Sequence, residues 1–193
     1  DLGGQMHFFE RDKLHEWVCQ KKPSVVFEVG GGAGGGSTIQ IAHALKTLKD
    51  NGVCVDTKFY TCDADPLEVG KSKPYFSSHP DYKDFVRVSC DYSTEFLTRL
   101  ISSNIIPDFI FFDGPEHPEL NLEDFKMLEE VVPVGTMFAS HDWEVEERIE
   151  GGFSIKNVAL RPYLENSESW KEIECLSGVM GEWPNEESEN SVG

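Results

Sequence analysis

The chain has 193 residues, of which 39% are hydrophobic and 11% aromatic, so it is long enough and apolar enough to fold around a core of its own. Its 35 acidic residues outnumber its 17 basic residues and give a net charge of −18. That charge repels nucleic-acid phosphates and anionic membrane surfaces, and no apolar run approaches the roughly 20 residues of a spanning helix. We therefore expect neither nucleic acid nor a membrane as a partner.

The cysteines carry no sign of a disulfide framework or a zinc site. There are five of them, an odd number, and none forms a CxxC pair. The first ten residues lack the pattern of a signal peptide. These observations favour a reducing environment, and we expect a cytoplasmic protein.

Short β-rich runs alternate with helical patterns along the chain. Five runs predict strands: 24–29, 58–62, 85–89, 108–112 and 134–140. Apolar faces at helical spacing lie around residues 14–18, 41–48, 96–101, 122–132 and 155–164, and Ser37 and Thr38 are placed to cap the second of them. A polar stretch with three prolines separates the second strand from the third.

The C-terminal part predicts two more short strands, 170–176 and 178–183. The turn between them is too short for a crossover, so one of them must be antiparallel. We expect residues 1–183 to form a single domain and the acidic residues 184–193 to be a frayed tail.

This alternation predicts an α/β fold with a doubly wound, Rossmann-like sheet that is mostly parallel and has an antiparallel strand near the C-terminus. The runs 25–29 and 109–112 lack polar alternation and should be central strands covered on both faces. Right-handed crossovers place the loops that follow the strands at one edge of the sheet, so functional residues should lie there.

A glycine-rich loop follows the first predicted strand, with six glycines in the seven positions 30–36. Such a loop lets a ligand approach the backbone, and the next helix offers free N–H groups. The spacing fits two patterns equally, GxGxxG with Gly30, Gly32 and Gly35, and GxGxG with Gly30, Gly32 and Gly34. Glu28 indicates which kind of ligand binds at this loop. A carboxylate at that position disfavours a pyrophosphate and favours a cationic group such as an amine.

An acidic residue follows each of the other strands. Asp63 is placed either to accept hydrogen bonds from ribose hydroxyls or to form a turn, and Asp91 either to accept from an adenine amine or to cap a helix. Asp113 and Asp142 follow neighbouring strands, which lie about 4.8 Å apart, so their carboxylates can converge on Mg²⁺ or a similar ion. The alternative is that Asp113 stabilises a turn and Asp142 caps the next segment.

In five motifs the chain resembles the class I S-adenosylmethionine-dependent methyltransferases. The motifs are FEVGGGAG at 27–34, YTCD at 60–63, SCD at 89–91, FFDG at 111–114 and VGTM at 134–137. Within that class, FDG with a following histidine and a later SHD are similar to small-molecule O-methyltransferases, in the branch that includes macrolide-sugar O-methyltransferases and cephalosporin-hydroxylase-like proteins. One extra residue here separates Asp113-Gly114 from His117, and one extra glycine precedes Ser37.

The resemblance implies a role for each loop. The methionine end of the cofactor would be held by Glu28, Gly30, Gly32, Gly34 and the start of the helix at Ser37. The ribose would bind Asp63, and the adenine would lie near Asp91. Asp113 would lie beside the cofactor, Asp113 and Asp142 would hold a divalent cation such as Mg²⁺, and His117 or His141 would act as the base.

The favoured hypothesis is transfer of a methyl group from S-adenosylmethionine to an oxygen of a small-molecule acceptor, with or without a metal ion. One alternative is a catalytically idle module that binds S-adenosylmethionine. Another is an NAD-dependent dehydrogenase, for which 193 residues leave no obvious second domain.

Overall fold

The computed structural model describes residues 2, 6–115, 117–143 and 155–171. The helices in these ranges are α1 Phe8–Lys21, α2 Ser37–Asp50, α3 Pro66–Ser78, α4 Ser93–Ser102, α5 Pro118–Glu129 and α6 Leu160–Glu165. The strands are β1 Val25–Val29, β2 Lys58–Asp63, β3 Val86–Cys90, β4 Phe109–Phe112 and β5 Met137–Ser140.

The strands form one sheet in the order β3-β2-β1-β4-β5, and every pairing is parallel. The order reverses between β1 and β4, which is the switch point of a doubly wound sheet. The expected α/β fold is confirmed, and β1 and β4 are inner strands as predicted. The predicted antiparallel strand is not among the described strands, and most of its range, 172–183, lies outside the described residues.

Helices cover both faces of the sheet because successive side chains of each strand point to opposite sides. On β4, Phe109 and Phe111 pack with α1, α2 and α3, whereas Ile110 and Phe112 pack with α4, α5 and α6. All four are buried, which explains why this strand has no polar alternation. None of the helices among the described residues is long and apolar enough to cross a bilayer.

The connection between β2 and β3 differs from the polar, proline-containing stretch expected from the sequence, because it forms α3. The Asp65 side chain caps this helix by accepting a hydrogen bond from the Leu67 N–H at 2.8 Å, and Pro66 occupies its first turn. Only three residues of α3 are buried, Val69, Ser72 and Phe76, and Pro74 lies inside it. The narrow apolar face and the internal proline hide the helical pattern in the sequence.

Two elements are shorter than predicted. Strand β5 begins at Met137 rather than at 134, because Gly135 has a φ of 89° and Thr136 N–H bonds back to the carbonyl of Pro133. Helix α6 begins at Leu160 rather than at 155, and Pro162 is tolerated in its first turn, where an N–H has no partner within the helix.

Candidate active site

The carboxyl ends of the five strands bring the loops into one row. The parallel hydrogen-bond pattern continues past the strands: Gly30 N–H donates to the carbonyl of Cys62, Asp91 N–H to Asp63, Asp113 N–H to Val29 and His141 N–H to Phe112. Each loop therefore starts in register with the neighbouring strand. The predicted site residues Asp91, Asp63, Gly30, Asp113 and His141 follow one another along this edge.

The glycine loop has a backbone that side chains would disturb. Gly30, Gly32 and Gly34 have φ values of 86°, 51° and 89°, in the left-handed region. A Cβ on Gly34 would lie 2.7 Å from the ring of Phe76 in α3, whereas a Cβ on Gly32 would meet no atom within 4 Å. The loop is thus packed at Gly34 and open at Gly32, where a ligand can reach the backbone.

Glu28 lies beneath this loop and is fully buried. Its Oε2 accepts hydrogen bonds from the hydroxyls of Thr38 at 2.7 Å and Thr61 at 2.6 Å, while its Oε1 has no partner within hydrogen-bond geometry. Burial raises the pKa of Glu28, and the hydroxyls of Ser37, Thr61 and Thr38 offset part of that rise. The buried carboxyl joins β1 to β2 and α2 through hydroxyl groups, and none of its contacts within the described ranges is with a cation.

The start of α2 differs from the sequence prediction. Ser37 and Thr38 do not cap the helix, because Gly36 is the N-cap residue and no side chain caps it. Both residues instead lie in the first turn and are buried. Their hydroxyls face Glu28, which explains why hydroxyl residues occupy these positions.

Asp63 holds the glycine loop from the side. Its Oδ2 accepts a hydrogen bond from Gly32 N–H at 2.8 Å, and its Oδ1 accepts one from Asp65 N–H at 2.8 Å. The second bond forms a turn at the end of β2, so the turn alternative holds for this residue. Each carboxylate oxygen has two lone pairs, so Asp63 can still accept from ribose hydroxyls, and the structure leaves both roles compatible.

Asp91 forms an ion pair with Arg99 of α4 and does not cap that helix, whose N-cap residue is Tyr92. The capping alternative for Asp91 is therefore wrong. The role beside an adenine stays a prediction.

The loops after β1 and β4 touch through two glycines. A Cβ on Gly30 would lie 2.2 Å from the carbonyl oxygen of Asp113, and a Cβ on Gly114 would lie 2.2 Å from Cγ1 of Val29. The backbone of the glycine loop therefore lies against the backbone of Asp113.

Asp113, His141 and Asp142 come together at the ends of β4 and β5, as the sequence predicts for the two aspartates. The Nδ1 of His141 lies 3.4 Å from Oδ1 of Asp113 and 3.2 Å from Oδ1 of Asp142. Its Nε2 lies 3.4 Å from Oε2 of Glu10 in α1. Asp142 has a φ of 55°, a conformation uncommon outside glycine and asparagine that recurs at functional sites.

Lys156 completes this group of charges. Its ammonium forms ion pairs with Asp113 and, at 3.0 Å, with Oδ2 of Asp142, and its side chain is only 2% exposed. No motif in the sequence indicates Lys156, which precedes α6 and lies 43 positions after Asp113. We refer to Asp113, Asp142, His141 and Lys156 as the charged cluster.

The charges of the cluster stabilise one another. Burial alone would lower the pKa of His141, but hydrogen bonds to Asp113, Asp142 and Glu10 raise it to about 12. Burial alone would raise the pKa of Asp142, but His141 and Lys156 lower it to about 2. Asp113 likewise has a lowered pKa and Lys156 a raised one, for the same mutual reasons. All four groups are therefore charged at neutral pH, and an imidazolium with both nitrogens facing carboxylates is poorly suited to accept a proton.

His117 lies apart from the cluster. It is the N-cap residue of α5, its side chain is exposed, and among the described residues no hydrogen bond or ion pair joins it to Asp113, His141 or Asp142. Of the two histidines predicted as the base, His117 is thus open to solvent and His141 is held between acids.

Comparison with known proteins places the chain in a family. The sequence model of a family described as a methyltransferase domain matches residues 28–143, which is more than half of the chain. This match begins at Glu28 under the glycine loop and includes Asp113, His141 and Asp142, but it ends before Lys156. The chain therefore belongs to this methyltransferase-domain family, and the resemblance to class I methyltransferases is confirmed. No curated protein matches the sequence.

Solved structures share the fold at low sequence identity. One is an O-methyltransferase from Bacillus cereus in complex with S-adenosylhomocysteine, with a TM-score of 0.65 at 18% identity over 83% of this chain and 69% of that one. Another is TomG, the O-methyltransferase of tomaymycin synthesis from Streptomyces achromogenes, in complex with S-adenosylmethionine, with a TM-score of 0.62 at 16% identity over 86% and 69%. At such identities the likeness establishes the fold alone.

Proposed function

We propose that the protein transfers the methyl group of S-adenosylmethionine to a hydroxyl oxygen of a small molecule. The observation that carries this proposal is the open backbone at Gly32, beside the carboxylate of Asp63, in a chain of the methyltransferase-domain family. The cofactors named for the structures of the same fold support it.

The cofactor would lie along the edge formed by β1, β2 and β3. Its ribose would donate to Asp63, its adenine would approach Asp91, and its methionine end would lie over Gly30, Gly32 and Gly34. Burial favours the neutral carboxyl of Glu28, and an ammonium of the methionine end placed over the loop would favour its ionised form. Ser37 would act through Glu28 rather than by direct contact, because its buried hydroxyl faces that carboxyl.

The reaction is an in-line displacement. The acceptor oxygen forms a bond to the methyl carbon, the carbon–sulfur bond breaks, and its electron pair stays on sulfur, which gives S-adenosylhomocysteine. The acceptor proton passes to a base. The protein has to position the two reactants and accept that proton.

His117 is the better candidate for the base. It is exposed next to the loop that carries Asp113, whereas His141 already carries a proton between carboxylates at neutral pH. Asp113 and His141 then position the acceptor side of the site rather than exchange protons. We expect His117→Ala to lower kcat by about 10²-fold or more with little change in cofactor affinity, whereas His117→Gln tests whether hydrogen bonding alone suffices.

Metal assistance has one observation in its favour and one against it. Asp113, His141 and Asp142 offer ligand atoms that all lie within 4.8 Å of one another. The ammonium of Lys156, however, already bridges the two carboxylates. The residues present do not fit a resident divalent ion in this arrangement, so no step of the reaction is assigned to a metal.

Calorimetry with S-adenosylhomocysteine and NAD⁺, followed by mass spectrometry of methylated products from a panel of phenols, sugars and hydroxy acids, tests the proposal. We expect binding of S-adenosylhomocysteine, no binding of NAD⁺, and a mass gain on a hydroxyl-bearing acceptor. Binding without methylation of any acceptor would favour the catalytically idle module, and binding of NAD⁺ alone would overturn the proposal.

A further inference from the structure

We propose that the ammonium of Lys156 is the resident cation of the Asp113–Asp142 pair, and that the native site consequently binds no divalent metal ion. The lysine stands at the point between two strand ends where a pair of aspartates would otherwise converge on Mg²⁺ or Mn²⁺. The proposal concerns the same site as the proposed function, but metal binding is measurable without cofactor or acceptor.

Positive and negative groups alternate in the charged cluster. Lys156 Nζ contacts both aspartates, and His141 Nδ1 also lies within 3.4 Å of both, so each carboxylate faces two cations. Oδ1 of each aspartate faces the imidazole, and the second oxygen of Asp142 faces the ammonium. The ammonium also contacts Oδ1 of Asp113, so N–H donors already engage this oxygen and both oxygens of Asp142, and a metal ion would have to displace them.

The segment that carries Lys156 is fixed by buried hydrogen bonds. Asn157 is 1% exposed, its Nδ2 donates to the carbonyl of His141 at 2.7 Å, and its Oδ1 accepts from Ser140 at 3.0 Å. The Nδ2 of Asn121, fully buried in α5, lies 3.1 Å from both the carbonyl of Lys156 and Oδ1 of Asn157. These contacts tie the lysine backbone to β5 and α5, so the ammonium is held under the aspartates rather than reaching in from a solvated position.

A divalent ion at the two aspartates would lie close to two positive charges that are already there. In the part of the chain that the structure describes, the carboxylates of Glu10, Asp113 and Asp142 lie against the cations of His141 and Lys156. A divalent ion placed among them would face both cations at short range, and an ion that replaced Lys156 would leave its ammonium to be buried elsewhere. A buried lysine thus supplies a single, permanent positive charge where a metal would supply a removable one.

Titration with Mn²⁺, followed by electron paramagnetic resonance of the free ion, measures this directly on the full chain. We expect the wild-type protein to bind Mn²⁺ no more tightly than about 1 mM, and Asp142→Asn to leave that weak binding unchanged. Lys156→Met removes the ammonium and leaves the two carboxylates with His141 as the remaining cation of the cluster. We expect this variant to bind one Mn²⁺ at least tenfold more tightly than the wild type, and Mn²⁺ to raise its melting temperature.

Lys156→Arg is the matched control, because it keeps the positive charge and should bind Mn²⁺ as weakly as the wild type. Tight binding of one Mn²⁺ by the wild-type chain that Asp142→Asn abolishes would overturn the proposal, as would a folded Lys156→Met variant that binds no Mn²⁺. If Lys156→Met does not fold, the wild-type and Asp142→Asn titrations decide the matter alone. A failure of S-adenosylhomocysteine to bind would refute the proposed function and leave these metal titrations unaffected.

Discussion

Two groups of acids lie at the same edge of the sheet and are stabilised in opposite ways. Glu28, under the glycine loop, is fully buried among hydroxyls, has a raised pKa and forms no ion pair with any residue that the structure describes. Asp113 and Asp142, one and two loops away, are held by Lys156 and His141 and have lowered pKa values. The first group lacks a positive partner, and the second contains its own.

This difference indicates which part of the site favours a positively charged ligand. A ligand that brings an ammonium or sulfonium group gains most near Glu28 and Asp63, because a positive charge there would favour the ionised form of Glu28. A ligand or ion that brings positive charge to Asp113 and Asp142 has to compete with a lysine and a histidine. Four substitutions separate the two regions, and they follow in order of decreasing effect.

Lys156→Met should have the largest effect on stability. It leaves two half-buried carboxylates beside a single imidazolium, and removal of one partner from a buried ion pair costs about 3–5 kcal/mol. Urea unfolding followed by tryptophan fluorescence measures the loss. The control is Lys71→Met, which removes an exposed ion pair with Glu68 and should cost at most about 1 kcal/mol. Equal losses in the two variants would mean that the cluster does not depend on its internal cation.

Asp63→Ala should weaken binding of S-adenosylhomocysteine by about 1.5–3 kcal/mol, because charge-assisted hydrogen bonds to the ribose and the brace on Gly32 are both lost. Calorimetry measures the change as a rise in Kd of roughly tenfold to a hundredfold. Asp65→Ala is the control in the same loop. It removes the cap of α3 and should lower stability by about 1 kcal/mol while leaving Kd unchanged.

Gly32→Ala tests whether the open part of the glycine loop lies against the cofactor. The new methyl group meets no protein atom, so its structural cost is the left-handed backbone alone, about 1–2 kcal/mol. Gly52→Ala carries the same cost, since Gly52 has a φ of 73° and equally open surroundings in the turn after α2. We expect similar melting temperatures for the two variants and a loss of affinity of tenfold or more in Gly32→Ala only. Unchanged affinity in both variants would contradict the proposal that the cofactor binds at this loop.

Glu28→Gln should have the smallest effect and a distinctive dependence on pH. A carboxyl with a raised pKa in the folded protein contributes most stability below its unfolded value near 4.5, and this contribution is lost as the pH rises through the raised pKa. The neutral amide avoids that loss, so at pH 8 the variant should be more stable than the wild type by about 1 kcal/mol.

The same substitution tests the contact with the cofactor. An ammonium group near Glu28 favours the ionised carboxyl, so the affinity of the wild type for S-adenosylhomocysteine should increase from pH 5.5 to 7.5, whereas that of Glu28→Gln should stay constant. Calorimetry at three pH values measures this. Identical pH profiles would show that Glu28 only supports the loop.

The sequence predicts the first region more completely than the second. The glycine loop, Glu28 and Asp63 follow strands that are recognisable from local patterns, and parallel strands bring their ends to one edge without further information. Asp113 and Asp142 are predictable for the same reason. Lys156 and Glu10 are not, because Lys156 depends on the contacts of Asn157 with β5 and α5, and Glu10 reaches His141 from a helix 131 positions earlier. No periodicity in the sequence encodes contacts of that kind.

The close approach of Gly30 and Gly114 also has a consequence for changes in loop length. The two loops lie side by side with no space for a methyl group at either glycine, so an insertion before Gly114 would separate the glycine loop from the end of β4. An insertion after Gly114 comes beyond this contact in the chain and leaves it intact. The additional residue that this chain carries between Gly114 and His117 is at such a position. Differences in loop length among relatives should accordingly be confined to the residues after Gly114. The distance from the glycine loop to Asp113 should then be constant, while the position of the histidine that follows should vary.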